Sequence, residues 1–585
     1  MILLFQAQAQ FYDNMWVFNN AVSLFHVDFR EDPPYVSQKD DYIEITGTGS
    51  SVFCDEDGNL LYYTNSFRIN NKIDSLLENG DSLNVGHYFN INNNPVQNGS
   101  FFLPAPGDSI RCYFIYVYPE KYPGVYPLPI KVQYALIDVT ANNGLGKVLE
   151  KNVPIMTGGL DFNFNHAGAV RHANGRDWWI LVPNRMEPKF YRILLTPQGF
   201  SIPEEQQIGF KQPTTNPNRY LGYNLFSPDG TKYAEFNYVI SWDSFPEVTG
   251  NLQLYDFDRC TGLLSNPVLV DIPSSNPMGD IGPVGVAYSP SGNRFYLTYE
   301  SSMAGSNLVQ YDMESGNIEN SAQIIFSCPH GSPIYTCGIG RLVLALDGKI
   351  YVGGNVDTFA LHVIHHPDII GEACHFELGG GFVFPDKYAH GATPYYPNYR
   401  LGPLDGSACD TLGLDNHPLA GFNWEVADTL NPLLVEFTDN SFYEPTNWSW
   451  DFGGTGTSTE VNPLHTFPAD GTYTVCLTVS NQYDSDTFCR EVTVGVTAVS
   501  ETERELLLRI YPNPAFRKMT VEYSAESGQT LQLINHLGME VFRHSPAEGF
   551  NRIELNVQHL PAGLYVCRIV QGPGQVLSKK VVVLK

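Results

Sequence analysis

The sequence predicts an all-β protein: a β-propeller of seven blades, with six as the alternative, followed by two small β-sandwiches. Three observations carry this reading. A glycine-punctuated hairpin recurs six times in the first 350 residues. Aromatic residues reach 13% while charged residues make up only 16%, against roughly 25% in an average soluble protein. Short apolar runs alternate throughout with Gly- and Pro-rich punctuation, the pattern of strands joined by tight turns. At roughly 150 residues per domain, a chain of 585 residues has room for several cores.

The repeat is carried by SVFCDEDGNLLYYT, FFLPAPGDSIRCYFIYV, AVRHANGRDWWILV, YNLFSPDGTKYAEF, GVAYSPSGNRFYLTY and VLALDGKIYVGG. Their turn glycines are Gly58, Gly107, Gly175, Gly230, Gly292 and Gly348, roughly 58 residues apart on average. Each unit reads as a hairpin whose glycine supplies positive φ between apolar flanks. A unit of about four strands cannot bury both of its faces alone, and radial stacking solves that problem. Segments 15–20 and 23–29 read as the later strands of a blade whose first strand comes from 382–400, a pairing that would close the ring and hide both edges. Residues 11–403, divided among seven blades, match the repeat length.

A linker, 404–418, leads to a sandwich at 419–497 that includes LLVEFTDNS, NWSWDFGG, GTYTVCLTVS and DTFCREVTV. Tyr473, Val475, Leu477 and Val479 alternate with Thr474, Cys476 and Thr478. With a turn at 481–484, Cys476 and Cys489 face each other on the outer side, which predicts a disulfide. A polar joint, 498–506, precedes a third β module at 507–585. The other eight cysteines lie without any C-x-x-C pair, which disfavours zinc and favours further disulfides of unassigned pairing.

With 34 basic and 62 acidic side chains, the net charge of -28 repels polyanions, so nucleic acid is excluded as a general partner. No run of 18 apolar residues is present, so no transmembrane helix is expected. MILLFQAQAQ (1–10) reads as the remnant of a secretory signal peptide that has lost its basic start, with an unstructured or strand-forming terminus as the alternative.

Trp448-Ser-Trp450-Asp-Phe-Gly-Gly, followed by STEVNPLHTFPADGTYTVCLTVSN, resembles the polycystic-kidney-disease (PKD) domain family, which implies an immunoglobulin-like fold with Trp450 in the core. Where that family has Asp-Gly after this motif, the chain has Gly454-Thr455-Gly456. The last module resembles the C-terminal type A sorting domain of Bacteroidetes type IX secretion cargo. The matching residues are Tyr511-Pro512-Asn513-Pro514, Gly563 and Tyr565 within LPAGLY, and Lys579-Lys580 within the closing SKKVVV. This resemblance implies recognition by the type IX translocon, delivery outside the cell, and release or attachment to surface lipopolysaccharide. Residues 11–403 resemble, at repeat level, WD-like propellers of such exported proteins. Asp74-Ser75-Leu76, Asp81-Ser82-Leu83, Asp108-Ser109-Ile110, Asp410-Thr411-Leu412 and Asp428-Thr429-Leu430 resemble O-glycan acceptor triplets of the same bacteria.

Catalytic signals are sparse. His362, His365, His366 and His375 offer imidazoles, but LHVIHH on a strand separates His365 from the other two, so ordinary hydrogen bonds are expected and no metal is assigned. The glycine in DEDGN stands at the fourth position rather than the sixth of a calcium loop, and a hairpin turn explains it. NGLGK at 143–147 lacks the spacing of a phosphate loop, and Gly379–Gly381 precede no helix. No G-x-S-x-G elbow occurs. Trp178 and Trp179, on successive strand positions, point to opposite faces; packing of both in the core or between blades is the favoured reading, with one as a stacking platform for a ligand as the alternative. The expectation is therefore an exported, non-enzymatic binding or adhesion protein for a surface or extracellular protein or glycan, without cofactor. The alternative is a secreted polysaccharide hydrolase or lyase using carboxylates in the propeller channel.

Overall fold

A computed structural model describes residues 11–583 apart from 41–50, 87–99, 121–127, 159–166, 212–219, 241–247, 273–280, 329–338, 354–359, 383–393, 496–507 and several shorter stretches. Strand dominates; helix is confined to a few single turns among the described residues. No helix among them is long and apolar enough to cross a membrane. The chain divides into two compact units. The first comprises Met1–Glu425, Glu436–His465 and Thr474–Arg490, and the second comprises Val426–Val435, Thr466–Tyr473 and Glu491–Lys585.

In the first unit, the described residues of 15–377 form seven successive antiparallel sheets of three to five strands. The six predicted hairpins are the opening hairpins of the second to seventh sheets. Their glycines have φ between 71° and 81°, a region that a Cβ would strain. In the fifth sheet, for example, Tyr220–Phe226 pairs with Lys232–Ile240 across Gly230, whose N–H donates to Ser227 O at 2.8 Å.

Each sheet buries apolar faces against its neighbours. Val17 and Leu24 of the first meet Val52 and Tyr63 of the second. The second, third and fourth share a core that includes Phe53, Phe102 and Trp178. Trp179 and Phe190 meet Tyr233 and Phe257 of the fifth sheet, and Tyr223 and Phe236 meet Val286 and Leu297 of the sixth. Tyr296 and Leu308 then meet Ile350 and Ile364 of the seventh. Finally, Tyr351 and Val363 pack on Trp16 and Phe25 of the first. The seventh sheet is thus the neighbour of the first through side-chain packing, and no hydrogen-bonded sheet spans that junction among the described residues.

Of the expected closing strand, 382–400, only residue 382 and residues 394–400 are described. Met15–Asn19 occupies the inner place of the first sheet, beside Ser51–Cys54, and pairs only with Ser23–Asp28. Residues 394–400 form no strand, because Pro394 and Pro397 lack the N–H groups a ladder requires. Residues 383–393 lie outside the described residues.

Two further sheets follow at 422–494, with strand orders Phe422–Val426, Leu434–Asp439, Leu464–Thr466 and Thr457–Ser458, Asn447–Phe452, Gly471–Ser480, Ser485–Val494. Trp450 is buried against the ring edges of Phe422 and Phe437, and its Nε1 donates to Glu460 O at 2.9 Å. Asn481 N–H donates to Asp484 O at 3.1 Å, closing the 481–484 turn, and Cys476 and Cys489 are joined by a disulfide on the outer side of the hairpin. A second disulfide joins Cys260 to Cys409.

In the second unit, the sheet Leu508–Tyr511, Lys518–Ala525, Gly549–Asn556 and a four-stranded sheet ending in Gln575–Val583 carry the C-terminal module. Alternate residues Met519, Val521 and Tyr523, with Leu531, Leu533, Cys567 and Ile569, make its core, as period-two patterning requires.

Candidate functional site

The opening-hairpin turns of the ring meet one chain segment. Residues 394–403 cross that end of the ring and hydrogen-bond to six of its sheets or the turns that flank them. Trp16 Nε1 donates to Tyr396 Oη at 3.2 Å, which itself donates to Leu344 O at 3.1 Å. Ser51 Oγ donates to Tyr395 O, Tyr399 Oη to Phe102 O at 2.9 Å, Arg171 Nη2 to Tyr399 O at 3.1 Å, and Asn398 Nδ2 to Pro228 O at 2.7 Å. Arg400 forms a two-toothed ion pair with Asp13, whose side chain is 1% exposed against 9% for the arginine. The buried aromatic ring of Tyr399 also packs edge-on against Trp178.

Beside this segment lies a cleft of about 640 Å³. Its wall combines Tyr223, Asn224 and Asp229 of the fifth sheet, Val286 and Tyr288 of the sixth, Arg341, the rings of Tyr395 and Tyr396, and the loop 439–445. Ligand sites are commonly apolar concavities with a few fixed polar groups. Here the Tyr288 hydroxyl is buried with no hydrogen-bond partner among the described residues. Arg259 lines the same cleft, held by Arg171 O and Gly402 O; burial, with Arg171 adding repulsion, pushes its guanidinium down to about 10. Tyr443 and Glu444 are both left-handed, with φ of 63° and 54°, a conformation that costs a side-chain-bearing residue about 1–2 kcal/mol and concentrates at ligand clamps. Burial, reinforced by Asp405 and opposed by Arg259, raises the Glu444 carboxyl above its ordinary range.

Trp178 and Trp179 take the packed positions that the sequence favoured, and the alternative of an exposed stacking platform is corrected. Both are buried: Trp178 lies under the Arg171 guanidinium at 4.1 Å, and Trp179 donates through Nε1 to Arg259 O at 2.9 Å. Alternation does send them to opposite faces, but each face is covered by a neighbouring sheet. In the C-terminal module, Tyr511 ends a strand, Gly563 opens one, and the buried Tyr565 donates back to Pro561 O at 2.8 Å. Lys579 is exposed, and Lys580 pairs with Val566 in the last hairpin. Pro512, Asn513 and Pro514 lie outside the described residues. Of the acceptor triplets, Ser75, Ser109 and Thr411 are exposed and Ser82 is half-buried, while 428–430 lie outside the described residues.

The DEDGN turn is satisfied internally, Asp55 Oδ1 accepting from the N–H groups of Asp57 and Asn59. NGLGK lies in a connector with positive φ at Asn142 and Asn143. The histidines are distributed differently from the single-strand reading. His362 is buried and accepts from Gly379 N–H. His365 faces His375 across a strand pair, with ring centroids 4.6 Å apart, and its Nε2 lies 3.0 Å from Glu377 Oε2. His366 instead pairs with Glu425 at 3.1 Å. The sequence reading missed Glu377 and Glu425; a His365-x9-His375-x-Glu377 spacing across a short hairpin was the available signal.

Comparison with known proteins gives two family matches. Residues 418–496 match the PKD domain model, and residues 509–584 match the secretion system C-terminal sorting domain model. The chain therefore carries a type IX sorting domain, which marks it as a secreted or cell-surface protein that engages the type IX secretion system. No curated protein matches it. Similar solved structures include the PKD1 domain of Vibrio anguillarum Epp, 30% identical over 14% of this chain and 98% of that one, with a TM-score of 0.13. The periplasmic gluconolactonase PpgL of Pseudomonas aeruginosa is 12% identical over 65% and 97%, with a TM-score of 0.37. The Swd1 β-propeller domain of Myceliophteria thermophila is 13% identical over 68% and 98%, with a TM-score of 0.25.

Proposed function

We propose that the chain is an exported binding protein whose seven sheets are the blades of a β-propeller and whose cleft beside residues 394–403 holds a protein or glycan ligand. The observation that carries this reading is the joint presence of a sorting domain and a concave aromatic cleft whose wall includes Tyr288, its buried hydroxyl without a hydrogen-bond partner among the described residues. The segment 394–403 occupies the hairpin-turn end of the ring, where a substrate channel would otherwise open, and this favours recognition over turnover.

The test is a glycan and surface-protein screen of the full chain, with the same ligands incubated and analysed for cleavage. Tyr288→Phe is expected to weaken binding about fivefold, the worth of one net hydrogen bond, with the melting temperature held. Unchanged affinity for every ligand found would remove the cleft from the reading. Export is tested separately: deleting residues 508–585 in the native host is expected to strand the chain in the periplasm, as read by fractionation.

A second reading, a polysaccharide hydrolase or lyase, is favoured by the Glu444 carboxyl at the cleft wall, which burial shifts upward, the direction in which a general acid of glycosidic cleavage is tuned. Cleavage products that disappear in Glu444→Gln would establish it in place of simple binding.

A further inference from the structure

His365, His375 and Glu377 present three ligand atoms that all lie within 4.8 Å of one another. Their proximity follows from register. Val363 pairs with Glu377 and Ile364 with Phe376, and His365 N–H continues the ladder to His375 O at 3.2 Å. Because side chains alternate across a strand pair, His365 faces His375 directly and Glu377 diagonally on one face, while His366 is sent elsewhere to Glu425. The cluster therefore rests on backbone pairing rather than on a loose loop.

His375 adds an independent indication. It has φ of 54° at the end of the short turn Gly371–Cys374, a position where glycine or asparagine is the ordinary choice. An imidazole there accepts backbone strain that only its side chain or its surroundings can offset. Its ring is stacked on that of His365, 28° from parallel.

From this geometry we infer that His365, His375 and Glu377 bind a divalent transition ion of the zinc class, leaving at least one coordination position open. Two imidazoles and a carboxylate are a recognised zinc donor set, and tetrahedral bonds of about 2.0–2.1 Å would space the ligand atoms about 3.3 Å apart. The present pair at 3.0 Å and the outer limit of 4.8 Å bracket that spacing, and rotation of the two stacked rings would turn their nitrogen lone pairs toward one point. Lys349 opposes a cation here, while Glu377, and Glu425 beyond His366, favour it. Ca2+ prefers six or more oxygen ligands and should not compete.

The test uses the full chain, stripped with chelator, titrated with Zn2+ by calorimetry and with Co2+ by visible absorption. One equivalent is expected to bind at the cluster, with a tetrahedral-type Co2+ spectrum. His375→Asn, which tolerates the left-handed backbone, and Glu377→Gln should each weaken binding at least about tenfold, while circular dichroism and melting of the metal-free chain stay unchanged. His417→Ala, a half-buried histidine near Asp484 and outside the cluster, should bind as the parent does. Absence of stoichiometric binding, or binding that survives both cluster variants, would overturn the assignment.

Discussion

Replacing Asp13 with alanine is expected to destabilise the ring by about 3–5 kcal/mol, the cost of stranding a buried charge. Arg400 and Asp13 are 387 positions apart in sequence, nearly the full length of the ring region, and both are almost wholly excluded from solvent. Burial works against the Arg400 guanidinium, yet Asp13 more than compensates and its pKa is raised. With the carboxylate gone, Arg400 keeps only its position over the Phe442 ring, 4.7 Å away, which cannot replace an ion pair. The same principle predicts a rescue. In Asp13→Leu/Arg400→Met both charges are removed together, and most of the loss should return because no group remains uncompensated. Denaturant unfolding followed by tryptophan fluorescence reads both variants, since Trp16 and Trp178 lie in cores that the crossing segment touches. A double variant no more stable than Asp13→Ala would show that the pair acts through packing alone.

That clasp was invisible in the sequence, and the reason is instructive. Local rules read local features well: all six turn glycines, the 481–484 turn and the Cys476–Cys489 bridge each depend on a few neighbouring residues whose backbone or alternation leaves little choice, while the burial of Trp450 followed from the PKD resemblance. What failed was pairing between remote segments. The expected closing strand falls within 382–400, of which 383–393 lie outside the described residues, and in 394–400 Pro394 and Pro397 argue against a ladder. The tyrosines instead became plugs that hydrogen-bond through their hydroxyls. Trp178 and Trp179 were correctly sent to opposite faces, but whether a face is covered depends on the next sheet. Likewise, the histidines were analysed along one strand, whereas His375 and Glu377 come from the adjacent one. The cleft shares this character, because its lining spans positions 13 to 445.

Removing the Cys260–Cys409 bridge is expected to cost more than removing Cys476–Cys489. The two close loops of 149 and 13 residues by sequence separation. In the chain-entropy description these are worth about 5 and about 3 kcal/mol, respectively, through restriction of the unfolded chain. Their native roles widen the difference. The shorter bridge joins adjacent strands that already pair, whereas the longer one fastens the chain just beyond the crossing segment to the turn that closes the fifth sheet's third strand. Around it, Leu404 N–H donates to Ala173 O at 2.8 Å and the bidentate Asp258 carboxylate organises the Cys260 turn. Cys260→Ser/Cys409→Ser should therefore loosen 401–410 and, through Leu401 and Gly402, the cleft wall. Hydrogen exchange should show lost protection at Leu404, with Cys476→Ser/Cys489→Ser leaving that amide unchanged. Because this bridge and the Asp13–Arg400 pair secure the same stretch from its two ends, their losses should not add. Once one is cut, the segment can lift, and the second has less left to hold. Strict additivity of the two variants in unfolding free energy would mean that residues 394–403 are held piecewise, each contact independent of the next.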